Sequence, residues 1–195
     1  MPVELSKSEQ PNIMDDNSKI LIGLSWDLKS EEEKIDFDLD TSIFLVDKNG
    51  KTTNERDLVF YHNLIHPSGA VRHTGDNQTG KGDGFDEIII IDLDLVPDNI
   101  NKMICAVTIY DGDKRNQNFG QIKNASISIM DQKTGKEKIH FNLREDFSIE
   151  TALVVAEICR YNNEWRFNAI GSGYSGGLNV LCMVYDLPVS DFDIK

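Results

Sequence analysis

The feature that most constrains the fold is a succession of short apolar runs, each of which ends at turn-forming residues. Lys19–Leu24, Ile88–Leu95 and Met103–Tyr110 are such runs, and Ala125–Met130 alternates apolar with polar side chains as a half-exposed strand does. Asn49-Gly50 is a strong hairpin-turn signal. No strand–helix–strand rhythm is present in the sequence, so a parallel α/β fold is not expected. The sequence therefore predicts an all-β fold, an antiparallel β-sandwich of roughly eight to ten strands with long, acidic, Gly-rich loops.

The C-terminal part of the chain adds a hairpin, a loop and a final strand to this prediction. Thr151–Arg160 and Trp165–Phe167 are rich in β-branched and aromatic residues and flank a turn signal, which favours a hairpin over a helix. Gly171–Gly177 is interpreted as a loop and Leu178–Tyr185 as the closing strand. Because no helix is expected after these glycines, a dinucleotide-binding loop is not predicted. The length of the chain fits one large domain or at most two small ones, and we predict a single domain over residues 1–195.

The charge of the chain limits the partners that it can attract. Its 195 residues carry 20 Lys and Arg against 33 Asp and Glu, a net charge of −13. This field repels the phosphates of nucleic acids and the anionic surface of membranes, so neither is predicted as a partner. No stretch approaches the roughly 20 apolar residues of a membrane helix, and the first residues lack the pattern of a signal peptide. The sequence therefore predicts a cytoplasmic protein whose field suits a cation.

The cysteine and histidine residues do not form a recognisable zinc or redox motif. Cys105, Cys159 and Cys182 each lie in an apolar run without CxxC spacing, and we interpret them as reduced core thiols. The four histidines include no HxxxH or HExxH pair. No nucleophile–base pair is recognisable either, so the chain is not predicted to be an enzyme.

The segment Gly75–Glu87 has the composition of a hard-cation site. It holds four glycines and four acidic residues with one basic residue, Lys81, and it leads directly into an isoleucine run. Calcium collects carboxylate, carboxamide and carbonyl oxygens, about six to eight at a time. An ordinary solvated turn is the alternative, although hairpin loops usually need only about two to five residues. An EF-hand is excluded, because Lys81 occupies the position of its glycine and a strand follows where a helix is required.

A second acidic segment lies in Ile35–Val46, where apolar residues alternate with Asp36, Asp38 and Asp40. In a strand these three carboxylates share one face, about 6.6–6.8 Å apart, and repel one another. Asp is depleted in strands, so three on one face require an explanation. A polar, half-exposed face explains Asp36. A cation shared between this row and the glycine-rich segment explains the set, and predicts that the two segments meet in space.

Several motifs along the chain match a known family as a set. They are Gly23–Asp27, Asp38–Ser42, Gly75–Asn77, Thr79-Gly80, Gly82–Gly84, Val107–Asp111, Gln117–Gly120, Glu145–Ser148, Glu150–Ala152, Gly173-Tyr174 and Gly176–Leu178. With these residues the sequence resembles the TerD-type tellurium-resistance and general stress protein family from about Val3 to Pro188. The resemblance implies a calcium-binding β-sandwich in a cytoplasmic protein linked to stress and tellurite resistance.

The resemblance also implies which residues hold the ions. Carried over position by position, the side-chain and backbone ligands are Asp38, Asp40, Asp76, Asn77, Asp83, Asp86 and Glu87, with carbonyls around Thr79, Gly80 and Gly82. Asp27 is a further candidate, for which a structural turn is the alternative. Phe85 stands where the family usually has Asp, so one site is expected to be weaker or differently built.

The partners that follow from the resemblance are two calcium ions and proteins of a stress-response complex. The implied role is a non-catalytic binding or scaffolding module. The alternative is a cyclic-AMP-binding protein, as some relatives are described, in which Arg72, Lys81 and Arg115 would meet the phosphate.

Overall fold

The computed structural model describes residues 3–4, 19–28, 37–77, 84–143, 147–162 and 164–187. These residues form strands that pack as two sheets, together with short helices. The strands are β1 (Val3–Glu4), β2 (Lys19–Leu28), β3 (Leu39–Val46), β4 (Leu58–Val59), β5 (Val71–His73), β6 (Glu87–Asp92), β7 (Lys102–Ile109), β8 (Ile122–Asp131), β9 (Glu137–Asn142), β10 (Ala152–Tyr161) and β11 (Glu164–Tyr174). The α-helices are α1 (Gly112–Arg115) and α2 (Gly177–Val184), and 3-10 turns cover Glu55–Asp57, Leu93–Leu95 and Phe119–Gln121.

The strands form one sheet in the order β1-β9-β8-β2-β6-β5 and a second in the order β11-β10-β7-β3-β4. In the described part of the chain every strand pair is antiparallel except β1 with β9, which is parallel. The all-β antiparallel fold predicted from the sequence is therefore confirmed. The strand number exceeds the prediction because β1 and β4 are two-residue strands. No helix among the described residues is long and apolar enough to cross a membrane.

The main core lies between the two sheets. Ile89 and Ile91 of β6 are fully buried, whereas Ile88 and Ile90 are half-buried. The isoleucine run is thus a strand with one face inward, as the two-residue period of a strand requires.

A second core covers the outer face of the five-stranded sheet, because α2 packs there. Leu178, Leu181 and Cys182 of α2 join the cluster that contains Phe44 and Ile104 of this sheet. The predicted closing strand over Leu178–Tyr185 is therefore wrong. Its buried residues follow a helical spacing, but the apolar run in the sequence is short and nearly continuous and does not distinguish helix from strand by its pattern alone.

The predicted loop over Gly171–Gly177 is also wrong, since β11 continues to Tyr174 and a helix follows at Gly177. The prediction that no helix follows these glycines is therefore wrong. The amides of Gly176 and Gly177 both donate to Thr151 Oγ1 at 3.0 Å, so the protein itself satisfies them.

The strand predicted over Ile35–Val46 begins later and is more buried than expected. β3 starts at Leu39, and all of its residues are buried because the main core lies on one face and the second core on the other. Asp36, predicted to lie on the polar face of a half-exposed strand, is outside the described residues. Cys105 and Cys182 are buried and Cys159 is half-buried, and all three are free thiols.

Candidate metal centre

Three of the predicted ligands converge at one end of the sandwich. Asp38 and Asp40 lie at the start of β3, and Asp76 lies three residues after β5. One carboxylate oxygen of each lies within 4.8 Å of the others. Because β3 and β5 belong to different sheets, the acidic segments that are distant in sequence meet where the two sheets end.

Asp40 is the least solvated of the three. The residue is only 3% exposed. Burial, together with the neighbouring carboxylates of Glu87, Asp38 and Asp76, raises the pKa of Asp40 to about 9. Without a cation the group therefore keeps its proton at neutral pH, because burial and three neighbouring carboxylates disfavour the charged form.

Asp38 is half-buried and in a similar environment. Its Oδ1 is buried without a hydrogen-bond partner. Burial and the carboxylates of Asp76 and Glu87 raise its pKa to about 6, against an opposing effect of Arg115. A buried oxygen without a donor is uncommon and costs free energy, so an ion at this point would satisfy it.

Glu87, the first residue of β6, lies behind the three aspartates. Its Oε2 accepts hydrogen bonds from the backbone N–H of Thr41 at 2.6 Å and from Thr41 Oγ1 at 2.8 Å. His73 Nε2 lies 3.4 Å from the same oxygen. Its Oε1 is buried and has no partner. Glu87 Oε2 is thus held in place, while Oε1 is available to an ion. Glu87 is not one of the three clustered residues Asp38, Asp40 and Asp76.

Asn77 and Asp86 contact each other and β2. Asp86 Oδ2 accepts from the backbone N–H of Trp26 at 3.0 Å, and its Oδ1 accepts from Asn77 Nδ2 at 3.4 Å. The backbone N–H of Asp86 donates to the carbonyl of Leu24 at 2.8 Å. These bonds close the end of the loop onto β2, a role that the acidic pattern does not reveal.

The remaining predicted ligands belong to the part of the chain that the structure does not describe. Thr79, Gly80, Gly82 and Asp83 lie outside the described residues, as does the side chain of Asp27. The Gly-rich loop is described only at its two ends.

Phe85 packs against β2. A Cβ added to Gly23 would lie 2.3 Å from Phe85 Cγ, so the aromatic ring rests directly on the glycine backbone. The residue thereby anchors the loop to the sheet. The signal for this contact in the sequence is a glycine within an apolar strand, which often marks a close approach of another group.

An open cleft of about 470 Å³ exposes one side of the three aspartates. Its lining adds residues that the sequence analysis did not predict as site residues: Tyr61, His62, Tyr110 and Asp111. Asp111 has a left-handed backbone (φ 50°), which is uncommon outside glycine, and it pairs with Lys114 Nζ at 2.8 Å. The sequence signal that could have indicated Asp111 is its position next to Gly112 at the end of a predicted strand.

Of the basic residues predicted to meet a phosphate, one lines the cleft among the described residues. Arg115 lines the cleft, Arg72 is exposed on β5, and Lys81 lies outside the described residues. Cyclic AMP binding stays a prediction.

The donor set is made of oxygen atoms. Such sites suit hard cations such as Ca²⁺ and Mg²⁺ better than Zn²⁺, which prefers nitrogen and sulfur. The unpaired buried oxygens and the raised pKa values of Asp38 and Asp40 fit a site that a cation would neutralise.

Comparisons with known proteins agree with the resemblance seen in the motifs. The TerD domain family matches residues 1–185. The chain is 51% identical to uncharacterized protein YceE of Bacillus subtilis (strain 168) over 192 residues, covering 97% of this chain and 100% of that protein. It is 44% identical to general stress protein 16U of the same organism, with the same coverage. It is 46% identical to tellurium resistance protein TerD of Serratia marcescens, with 88% of each chain covered.

A solved structure supports the fold. A Streptomyces coelicolor A3(2) homologue of telluride resistance protein (TerD) superposes with a TM-score of 0.68 at 21% identity, covering 88% of this chain and 99% of that one. From the family match and these relatives, the chain belongs to the TerD domain family, whose relatives here carry the names of tellurium-resistance and general stress proteins.

Proposed function

We propose that this chain is a calcium-binding, non-catalytic stress protein of the cytoplasm that contributes to tellurite resistance. The observation that carries the proposal is the cluster of Asp38, Asp40 and Asp76, in which Asp40 is almost fully buried and Asp38 Oδ1 is buried without a hydrogen-bond partner. A carboxylate in this setting is either protonated or bound to a cation.

Calcium suits the arrangement better than magnesium. The carboxylates come from a strand and from a loop, so their geometry adapts, and calcium accepts about six to eight oxygens in flexible arrangements whereas magnesium requires a near-ideal octahedron. Asp38, Asp40 and Asp76 would supply part of the shell. The unpaired Oε1 of Glu87, water in the cleft and the loop are sources for the remaining oxygens. A second ion, implied by the family resemblance, would need the loop residues.

A binding role accounts for the cleft more simply than catalysis does. In the described part of the chain the lining around the aspartates contains Tyr, His, Asp and Arg but no Ser or Cys nucleophile. The three free thiols fit a reducing compartment. Binding of the ion would neutralise the aspartates and join the loop to β3, so a partner protein that docks there would do so only when calcium is present.

The test is calorimetric titration of the metal-stripped protein with calcium, repeated on Asp40→Asn. We expect the wild type to bind and the variant, which keeps the shape of Asp40 but not its charge, to lose binding. Asp131→Asn is the matched control, because Asp131 is similarly buried but accepts hydrogen bonds from Thr134 at 2.8 and 2.9 Å. Absence of binding heat and of thermal stabilisation in the wild type would refute the proposal.

A further inference from the structure

His73, the last residue of β5, is 2% exposed and is not one of the three residues of the aspartate cluster. Its Nδ1 accepts a hydrogen bond from the backbone N–H of Gly75 at 3.2 Å. Its Nε2 lies 3.2 Å from Thr41 Oγ1 and 3.4 Å from Glu87 Oε2. Both ring nitrogens are therefore engaged inside the protein.

The partners of His73 determine its tautomer. A backbone N–H can only donate, so Nδ1 is the unprotonated nitrogen and Nε2 carries the hydrogen, an assignment from the hydrogen-bond network. Thr41 Oγ1 donates its own hydrogen to Glu87 Oε2, so the Nε2–H group is shared between Oγ1 and Oε2. Glu87 Oε2 then faces donors only.

The contacts of His73 are with residues in both acidic segments that carry the proposed ligands. Gly75 directly precedes Asp76, Thr41 directly follows Asp40, and Glu87 closes the glycine-rich loop. One buried ring therefore connects both ends of the loop to β3 of the opposite sheet. A displacement of the ring would move Asp76 and Glu87 relative to Asp40.

We propose that His73 is a positioning residue that sets the affinity and the hydration of the bound cation without coordinating it. The proposal rests on the calcium site of the proposed function. Residues that orient metal ligands from behind commonly change metal affinity by about 10–100-fold when they are replaced.

Two variants of the full chain separate the two contacts. His73→Asn offers an acceptor near the position of Nδ1 but no donor to Glu87, and His73→Gln offers a donor near Nε2 but no acceptor for Gly75. We expect each to weaken calcium binding by about tenfold or more in calorimetry. We also expect the luminescence lifetime of bound Tb³⁺, compared in H₂O and D₂O, to report at least one additional water on the ion.

His66→Gln is the matched control. His66 is also buried, at 5% exposure, but its contacts are with Asp57 and Ser68, which lie outside the proposed metal centre. The His66→Gln variant should have a lower melting temperature but the calcium affinity and the Tb³⁺ hydration of the wild type. The hydration of the ion is the readout that a purely structural histidine would not alter.

The outcomes are distinct. Lower affinity with extra water in either His73 variant supports the proposal, so one folded variant is sufficient. Wild-type affinity and hydration in both variants, with or without a lower melting temperature, would overturn it and leave the calcium site standing. No calcium or Tb³⁺ binding by the wild type would overturn both proposals.

Discussion

Asp40→Asn should stabilise the metal-free protein while it abolishes calcium binding. An aspartate in the unfolded chain titrates with a pKa of 3.8, whereas burial and the carboxylates of Glu87, Asp38 and Asp76 raise the pKa of Asp40 in the folded protein to about 9. At pH 7 the folded protein therefore holds a proton that the unfolded chain releases. Retention of this proton lowers the unfolding free energy by about 1.4 kcal/mol for each pH unit above the unfolded pKa, or by roughly 4 kcal/mol at pH 7.

The sign of this effect follows from the direction of the shift. Because the folded pKa is the higher one, the contribution of protonated Asp40 to the unfolding free energy is fully present below about pH 4. It is lost progressively as the pH rises toward 9. Asparagine resembles the protonated acid in shape and does not titrate. The variant should thus gain up to roughly 4 kcal/mol of unfolding free energy over the wild type at pH 7, but only about 1.6 kcal/mol at pH 5.

The assay is urea unfolding of both proteins in a chelator at pH 5, 6 and 7, followed by the same series with saturating calcium. Calcium should raise the stability of the wild type and leave the variant unchanged. A gain that does not depend on pH, or a variant that is less stable than the wild type at pH 7, would refute the inference that Asp40 is protonated in the metal-free protein.

Three further predictions concern the pH dependence of binding, the loop anchor and the helix. Calcium affinity should fall by about tenfold per pH unit between pH 7 and 6, and more steeply below the pKa of Asp38 near 6, because the ion displaces protons; titrations in two buffers of different ionisation enthalpy would count them. Gly23→Ala should lower the unfolding free energy by about 1–3 kcal/mol, because its Cβ would overlap Phe85; the loss should largely disappear in a Phe85→Ala background, and an equal loss there would contradict the contact. Leu181→Ala should cost about 2–5 kcal/mol in urea unfolding, since the side chain is fully buried. Met183→Ala, at a position 64% exposed, should change stability by no more than about 0.5 kcal/mol, and equal losses at both positions would contradict the orientation of α2.

The fold was largely predictable because strands record their environment with a two-residue period. The run at Ile88–Ile91 and the hairpin of β10 and β11 were recognisable from local sequence. α2 was not, because six of its eight residues are apolar, and so short and nearly continuous an apolar run fits a helix on a sheet and a buried strand alike. The burial of both faces of β3 depends on α2, so it could not be predicted either.

The sequence by itself determined the chemistry of this protein: an antiparallel sandwich, oxygen donors concentrated in two acidic segments, and a negative field that suits cations. Residue type and spacing are local properties, and they are sufficient for these conclusions. Only the tertiary structure decided that Asp38, Asp40 and Asp76 converge, that Asp86 closes the loop onto β2, and that His73 joins both ends of the loop to β3. These roles depend on which strands become neighbours and how deeply each side chain is buried, and pairing between sheets leaves no periodic signal in the chain.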